Sequence, residues 1–173
     1  TILVPLEGTY AGVIVMKVEN IMSTEVFCVG SAQSLNDAAQ LMWEHNCGSA
    51  PVVDEDNQMV GMITDRDIAM AAYINGGSLG SIPVSVAQSK EIVCCKSDDE
   101  VDDIQYKMRT HQLHRIPVID DNGQPVGIVS LNDIARAYKA GTKGLKAQDI
   151  STTLAAICSP MTKYSDPSSA AAA

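Results

Sequence analysis

Short apolar runs alternate with amphipathic stretches along most of the chain, and the whole order comes round twice. Val26–Val29 reads as a strand, and Ser34 then opens a helix through His45 with Leu35, Ala38, Ala39, Leu41 and Met42 at helical spacing on one buried face. Ala50–Val53 is a second strand, Asp54-Glu55-Asp56-Asn57 a polar turn and Met59–Ile63 a third strand. A second helix starts near Asp65 and runs to about Ile74, where Gly76-Gly77 stops it. The order then returns: strand Ile92–Cys95, helix Glu100–Gln112, strand Ile116–Ile119, turn Asp120–Gly123, strand Pro125–Val129 and helix Leu131–Ala140.

The return is a duplication. Shifted by 66 residues the chain matches itself without a gap: Cys28 falls on Cys94, Asp37 on Asp103, Met42 on Met108, His45 on His111, Pro51-Val52 on Pro117-Val118, Val60-Gly61 on Val126-Gly127 and Asp67-Ile68-Ala69 on Asp133-Ile134-Ala135. Each copy is a β-α-β-β-α unit. A three-stranded sheet with two helices cannot cover both of its faces alone, so the expected fold is α/β, with the two repeats packed sheet to sheet around a pseudo-two-fold axis. The organisation this implies is an N-terminal extension over 1–19, a first repeat over 20–76, a linker over 77–85, a second repeat over 86–140 and a tail over 141–173. Ile2–Leu6 and Gly12–Val18 read as short strands of the extension, and Met16-Lys17 reads as a possible native start. In the tail, Ala147–Ile157 suits a short helix, and the composition from Pro160 onward is that of a disordered end.

Composition narrows the partners. Twelve Lys and Arg against twenty-one Asp and Glu give the 173 residues a formal net charge of −9 and a pI near 4.6, a field that repels polyanions and makes nucleic acid an improbable partner. A small anion held by a few local cations stays compatible with that field. No run approaches the ~18 uninterrupted apolar residues of a membrane helix, and the apolar opening lacks the basic region of a secretory signal. Five cysteines, with no closely spaced CxxC pair, suit a reducing compartment. The expected location is therefore cytoplasmic.

Chemistry concentrates in one repeated motif. Thr64-x-x-Asp67 and Ser130-x-x-Asp133 have the spacing of a helix capping box, in which a hydroxyl accepts a backbone N–H and the acid returns the bond. The same geometry can present N–H groups and the helix dipole to a phosphate, and a carboxylate to the two hydroxyls of a ribose. Both readings can hold at once. His111 and His114 have a plausible metal spacing, yet His45 recurs at the place of His111 near a helix C-terminus, which is a structural position. Cys94 and Cys95 are strand neighbours that point to opposite faces, so they cannot share a metal. No nucleophile triad, Walker loop or GxGxxG is present, and no catalytic residue or metal site is assigned.

The repeated unit resembles the CBS domain, and the tandem arrangement resembles the CBS pair known as a Bateman module. The resemblance covers roughly Asn20–Lys139 and rests on Ala50-Pro51-Val52-Val53-Asp54 with Gly61-Met62-Ile63-Thr64-Asp65-Arg66-Asp67, and on Ile116-Pro117-Val118-Ile119-Asp120 with Gly127-Ile128-Val129-Ser130-Leu131-Asn132-Asp133. It implies a non-catalytic regulatory module that binds adenosyl ligands such as AMP, ADP, ATP, S-adenosylmethionine or NAD in two clefts between the repeats and signals to a separate effector protein. On this basis Asp67 and Asp133 would hold ribose; Thr64, Arg66, His114, Arg115, Ser130 and Asn132 would surround phosphate; and Val26, Ser49, Ala50, Ile92 and Ile116 would line the adenine pockets. Because Gly48-Ser49 stands where the second repeat has His114-Arg115, and Asn132 where the first has Arg66, the Asp67 cleft is expected to be the better phosphate site. The resemblance further implies a homodimer through the helices Ile68–Ile74 and Ile134–Ala140, where Ala69, Ala71, Ala72, Ala135 and Ala137 permit close approach. Two alternatives remain at this stage: a purely structural dimerisation module whose aspartates only cap helices, and a nucleotide-processing enzyme.

Overall fold

The computed structural model describes residues 15–160; the expected strand Ile2–Leu6, the first residues of the expected strand Gly12–Val18 and the end of the tail lie outside the described residues. In the first repeat β1 (Val29–Gly30) pairs parallel with β2 (Ser49–Val53), which pairs antiparallel with β3 (Met59–Thr64). Helix α1 (Leu35–Glu44) follows β1 and α2 (Asp65–Asn75) follows β3. A one-turn helix α3 (Val84–Ala87) leads to the second repeat, which comprises α4 (Val101–His111), β4 (Arg115–Ile119), β5 (Pro125–Ser130) and α5 (Leu131–Lys139), and α6 (Ala147–Ile157) completes the described chain.

Local chemistry explains the ends of these elements. Ser34, Thr64 and Ser130 each close a full capping box with the aspartate three residues on, so α1, α2 and α5 begin where the sequence places them. Gly76 ends α2 in the left-handed conformation, at φ 62°. The two-fold repetition holds to fine detail: β2–β3 and β4–β5 carry a register shift at the equivalent places, Val52/Val53 and Val118/Ile119. The expected first strand of each repeat is shorter than the pattern suggests. Pairing with β2 starts only at Val29, and the second repeat keeps a single parallel bridge, Cys95 to Val118, in place of the expected Ile92–Cys95 strand. The residues before these points turn their side chains elsewhere: Phe27 stacks on His45 at 3.4 Å between ring centroids.

Two hydrophobic cores form, and each is finished by residues from across the molecule. Val18, fully buried, packs with Met16, Ile21 and Met22 into the core of the second repeat, although this segment leads into the first. Ile82 and Val84 pack with Leu79 and Ala87 into the core of the first, although they lead into the second. The stretch 77–85, expected as a linker, thus gives Leu79, Ile82 and Val84 to a core while its other residues stay exposed, and 15–18 form no strand: Lys17 makes one bridge to Glu100 and Val18 opens a 3-10 turn. The crossing segments also extend the sheets. Ser23 exchanges backbone hydrogen bonds with Ile128 (2.9 Å each way) beside β5, and its equivalent Ser89 does so with Met62 (2.8 and 3.2 Å) beside β3. The hairpin turns of the repeats also touch, through Met59 N–H to the Gly123 carbonyl at 3.0 Å and Gln124 Nε2 to the Asp56 carbonyl at 3.2 Å.

Helix α6 forms over the residues expected of it and is not a free tail. It lies on α4 and α5, burying Thr153 and Ile157, while Leu145 just ahead of it is also buried. Arg109 donates to Thr153 Oγ1 at 2.9 Å, and Gln112 Nε2 donates to the Ala156 and Ser159 carbonyls at 3.1 and 3.0 Å, satisfying the end of α6. The equivalent positions of the first repeat are Trp43 and Asn46, and there no helix among the described residues covers the groove between α1 and α2. Ala39, Met42, Ile68, Ala69 and Ala72 line a hollow of about 520 Å³, and Trp43 at its edge is 87% exposed.

The crossing segments make two glycines sensitive to substitution. A Cβ at Gly61 would stand 2.7 Å from the Ser89 carbonyl oxygen, whereas one at Gly127 would meet the Met22 sulfur at 2.8 Å and the Ser23 oxygen at 3.2 Å. Backbone cannot swing aside as a thioether can. Gly61→Ala is therefore expected to destabilise the chain by about 1–3 kcal/mol and Gly127→Ala by less; urea unfolding of the two variants checks the order. Thiol labelling gives a second check. Burial pushes the Cys95 thiol up to about 12, so under native conditions the exposed Cys158 should label first and Cys95 only on unfolding.

Candidate functional site

Two clefts lie where the repeats meet, related by the same pseudo-two-fold axis. The first, about 520 Å³, is bounded by the end of β3 and the start of α2 (Met62, Thr64, Arg66, Asp67), by the crossing residues Ser89, Glu91 and Val93, and by Gln112–Arg115 and Pro117 of the second repeat. The second, about 360 Å³, is bounded by Ser130, Asn132, Asp133 and Arg136, by the crossing residues Ser23, Glu25 and Phe27, and by His45–Ser49 of the first repeat. Both volumes lie in the range of small-molecule sites. Thr64, Arg66, Asp67, His114 and Arg115 thus share one cleft, while Ser130, Asn132 and Asp133 share the other.

The aspartates are held rigidly. Asp67 Oδ2 accepts from the Thr64 N–H at 2.9 Å and from its hydroxyl at 2.6 Å, and Thr64 Oγ1 accepts from the Asp67 N–H at 3.2 Å. Asp133 repeats this with Ser130 at 2.8, 2.5 and 3.3 Å. In both, the cap uses Oδ2 and leaves Oδ1 to the cleft. A third box, Ser34 with Asp37, has the same bonds on an exposed helix start. There the Ser34 backbone N–H, and then its hydroxyl, hold the Asp37 carboxyl below its ordinary value. The box alone is a cap; what sets Asp67 and Asp133 apart is the cleft and the cations around it.

Those cations are distributed unevenly. Arg115 borders both clefts and donates from Nη1 to Ser49 Oγ at 3.1 Å. Ser49 is its equivalent in the other repeat, so the bond joins two pseudo-symmetric positions. Arg66 and His114 serve only the first cleft. The second gains Arg136, which sequence reading passed over: it follows Asp133 by three residues, one turn along α5, and pairs with Asp133 Oδ1. Its equivalent in α2 is Met70, which has no charge to offer. Among the described residues Asp67 Oδ1 accepts no hydrogen bond. Spacing on α5 would have revealed Arg136, had the helix been followed past the motif.

The expected adenine-pocket residues need correction. Ala50 and Ile116 are fully buried in the two cores, because strand alternation turns them away from the clefts. Val26 and Ile92 are half-buried and border neither cleft, whereas Phe27 and Val93, one residue further on, do. Of that group Ser49 alone lies at the clefts, bordering both. Glu25 and Glu91, pseudo-equivalent acids on the crossing segments, add one negative charge to each cleft. Among the described residues no group of three His, Cys, Asp or Glu side chains could hold a metal ion, and no helix is long and apolar enough to cross a membrane.

Comparison with known proteins agrees with this architecture. CBS domain-containing protein YhcV of Bacillus subtilis is 41% identical over 118 residues, 68% of this chain and 82% of that protein. Hypoxic response protein 1 of Mycobacterium tuberculosis is 34% identical over 142 residues, 82% of this chain and 94% of that one. Among solved structures, the CBS domain pair of protein MJ0100, crystallised with 5-methylthioadenosine and S-adenosyl-L-methionine, matches with a TM-score of 0.67 at 30% identity over 74% of this chain and 99% of that one. The family model for the CBS domain matches twice, over residues 18–73 and 80–140. With the duplicated unit, the exchanged segments and the paired clefts all in place, the chain belongs to the CBS domain family and carries two such domains as a tandem pair.

Proposed function

We propose that the chain is a non-catalytic sensor that binds adenine nucleotides between its repeats and transmits their level to a partner protein. One observation carries the reading: in the first cleft a rigid carboxylate has one oxygen without a partner among the described residues, while Arg66, His114 and Arg115 border the same space. A free carboxylate oxygen suits the two hydroxyls of a ribose, and clustered guanidinium and imidazole groups suit a phosphate. The start of α2 adds N–H groups and the positive end of its dipole.

A second reading has its own support. Glu91 borders the same cleft and is unfavourable to a phosphate close by, but favourable to a positively charged adenosyl compound such as S-adenosylmethionine. Calorimetry with AMP, ATP, NAD and S-adenosylmethionine on the unsubstituted chain and on Glu91→Gln separates the two. The nucleotide reading expects AMP or ATP to bind and Glu91→Gln to strengthen them; loss of S-adenosylmethionine binding in that variant, with AMP inert throughout, favours the sulfonium ligand.

Assembly follows from the uncovered groove. The proposed homodimer would form through α1 and α2 of the first repeat, where Trp43, Tyr73 and Ile74 are 72–87% exposed, because α6 already covers the matching face of the second repeat. Sedimentation of the chain at micromolar concentration is expected to give a dimer that Trp43→Asp with Ile74→Glu reduces to a monomer; an 18 kDa species in the unsubstituted chain removes the dimer.

For the site itself, Arg115→Ala is expected to weaken AMP by about 10- to 100-fold, the range of a lost charge-assisted hydrogen bond of about 1.5–3 kcal/mol. Adenosine should hardly change. Asp67→Ala should weaken both compounds in the first cleft, since both carry the ribose. Equal losses of adenosine and AMP in Arg115→Ala would assign Arg115 to the fold and not to phosphate.

A further inference from the structure

We propose that Arg136 is a specificity-determining latch that makes the second cleft accept adenosine compounds only when they carry an anionic group. The inference deepens the nucleotide reading given above and rests on it.

Both oxygens of the Asp133 carboxylate have partners in the free protein. Oδ2 takes the N–H and hydroxyl of Ser130, and Oδ1 takes the guanidinium of Arg136. The Asp133 side chain is 8% exposed and that of Arg136 is 70% exposed, so the arginine closes the carboxylate from the solvent side and is itself free to turn. Asp67 has no such partner among the described residues, and α2 carries Met70 one turn after it. A ribose that sets both of its hydroxyls on Oδ1 has to displace Arg136, because one of the two lone pairs of that oxygen already takes the guanidinium.

The cost of that displacement depends on the ligand. A neutral nucleoside takes the carboxylate and leaves the guanidinium without its anion. A nucleotide brings a replacement anion into the cleft that Arg136 already borders, beside Arg115 and the start of α5. The ion pair is exchanged and not lost. The first cleft, with Asp67 Oδ1 free, lacks this requirement and tolerates the nucleoside. The two clefts would thus differ in what they require of a ligand as well as in the cations that border them.

The test isolates the second cleft with Asp67→Asn, whose amide oxygen still accepts the Thr64 N–H and keeps α2 capped. Calorimetry with AMP and adenosine is then run with and without Arg136→Met, the residue already present at the equivalent place in α2. In the Asp67→Asn chain AMP is expected to bind at least about 10-fold more tightly than adenosine, the low end of the range for a charge-assisted bond because Arg136 is exposed. Adding Arg136→Met should strengthen adenosine and weaken AMP, bringing the two to within a few-fold. A common scaling of both affinities, or no change in either, overturns the latch while leaving nucleotide binding intact. AMP binding to the unsubstituted chain but not to Asp67→Asn also overturns it, by removing the second cleft as a nucleotide site. Failure of both compounds to bind the unsubstituted chain overturns the nucleotide reading and the latch with it. Thermal melts of each variant, expected within a few degrees of one another, verify that the fold is kept.

Discussion

The exchange of segments between the repeats is the constraint on which the rest of the molecule depends. Val18 and Val84 occupy equivalent places, each fully buried in the repeat that its own segment does not lead into, and Ser23 and Ser89 then run beside β5 and β3 as extra edges of the sheets. Removing either segment would open a core and expose a strand edge at once, and each of those faults is costly by itself. The same segments supply the outer walls of the clefts: Ser23, Glu25 and Phe27 on one side, and Ser89, Glu91 and Val93 on the other. Folding the pair and building its clefts are one event. The close approach at Gly61 and Gly127 is the local sign of that dependence, since a side chain there would hold the crossing backbone away.

Onto this symmetric frame the sequence places an asymmetric set of side chains. His114-Arg115 stands at the place of Gly48-Ser49, Arg136 at that of Met70, and Gln105 and Arg109, which bond Thr153 of α6, at those of Ala39 and Trp43. Each substitution is small on the scale of the fold, because the backbone that carries it is the same in both copies. The effects are nevertheless chemical: among the described residues only Asp133 of the two carboxylates is paired with an arginine, and only the second repeat has a helix laid over its groove. Duplication has supplied two equal frames, and side-chain identity alone makes them differ.

Much of this was legible in the chain. The 66-residue offset, the three helix starts at Ser34, Thr64 and Ser130 and the stop at Gly76 rest on local rules, and local rules survive into the structure. The cleft residues carried by the motif, Thr64, Asp67, Ser130 and Asp133, were likewise readable. The parts that were not readable depend on contacts far apart in sequence. Nothing local marks Val18 and Val84 as members of each other's neighbouring cores, and an apolar run ending in a turn looks the same whether it lines a cleft or completes a sheet. Ala50 and Ile116 were misread for that reason: they sit in the repeated motif, but the pleat turns them inward, and Phe27 and Val93 stand at the clefts instead. Helix α6 was placed correctly, and its partner surface was not, since Gln105, Arg109 and Gln112 show their purpose only once the helix lies across them.

Arg115 and Ser49 occupy equivalent places in the two copies and are bonded to each other between the two clefts. Duplication ordinarily gives each copy of a site the freedom to drift toward its own ligand. Here the freedom is restricted, because a single guanidinium borders both clefts and its replacement changes both linings. Tuning one site without the other has to proceed at positions that belong to one cleft only, such as Arg66 and Arg136. The two clefts can diverge in their linings, but Gly48, Ser49 and Arg115 belong to both, and a change at any of them alters the pair.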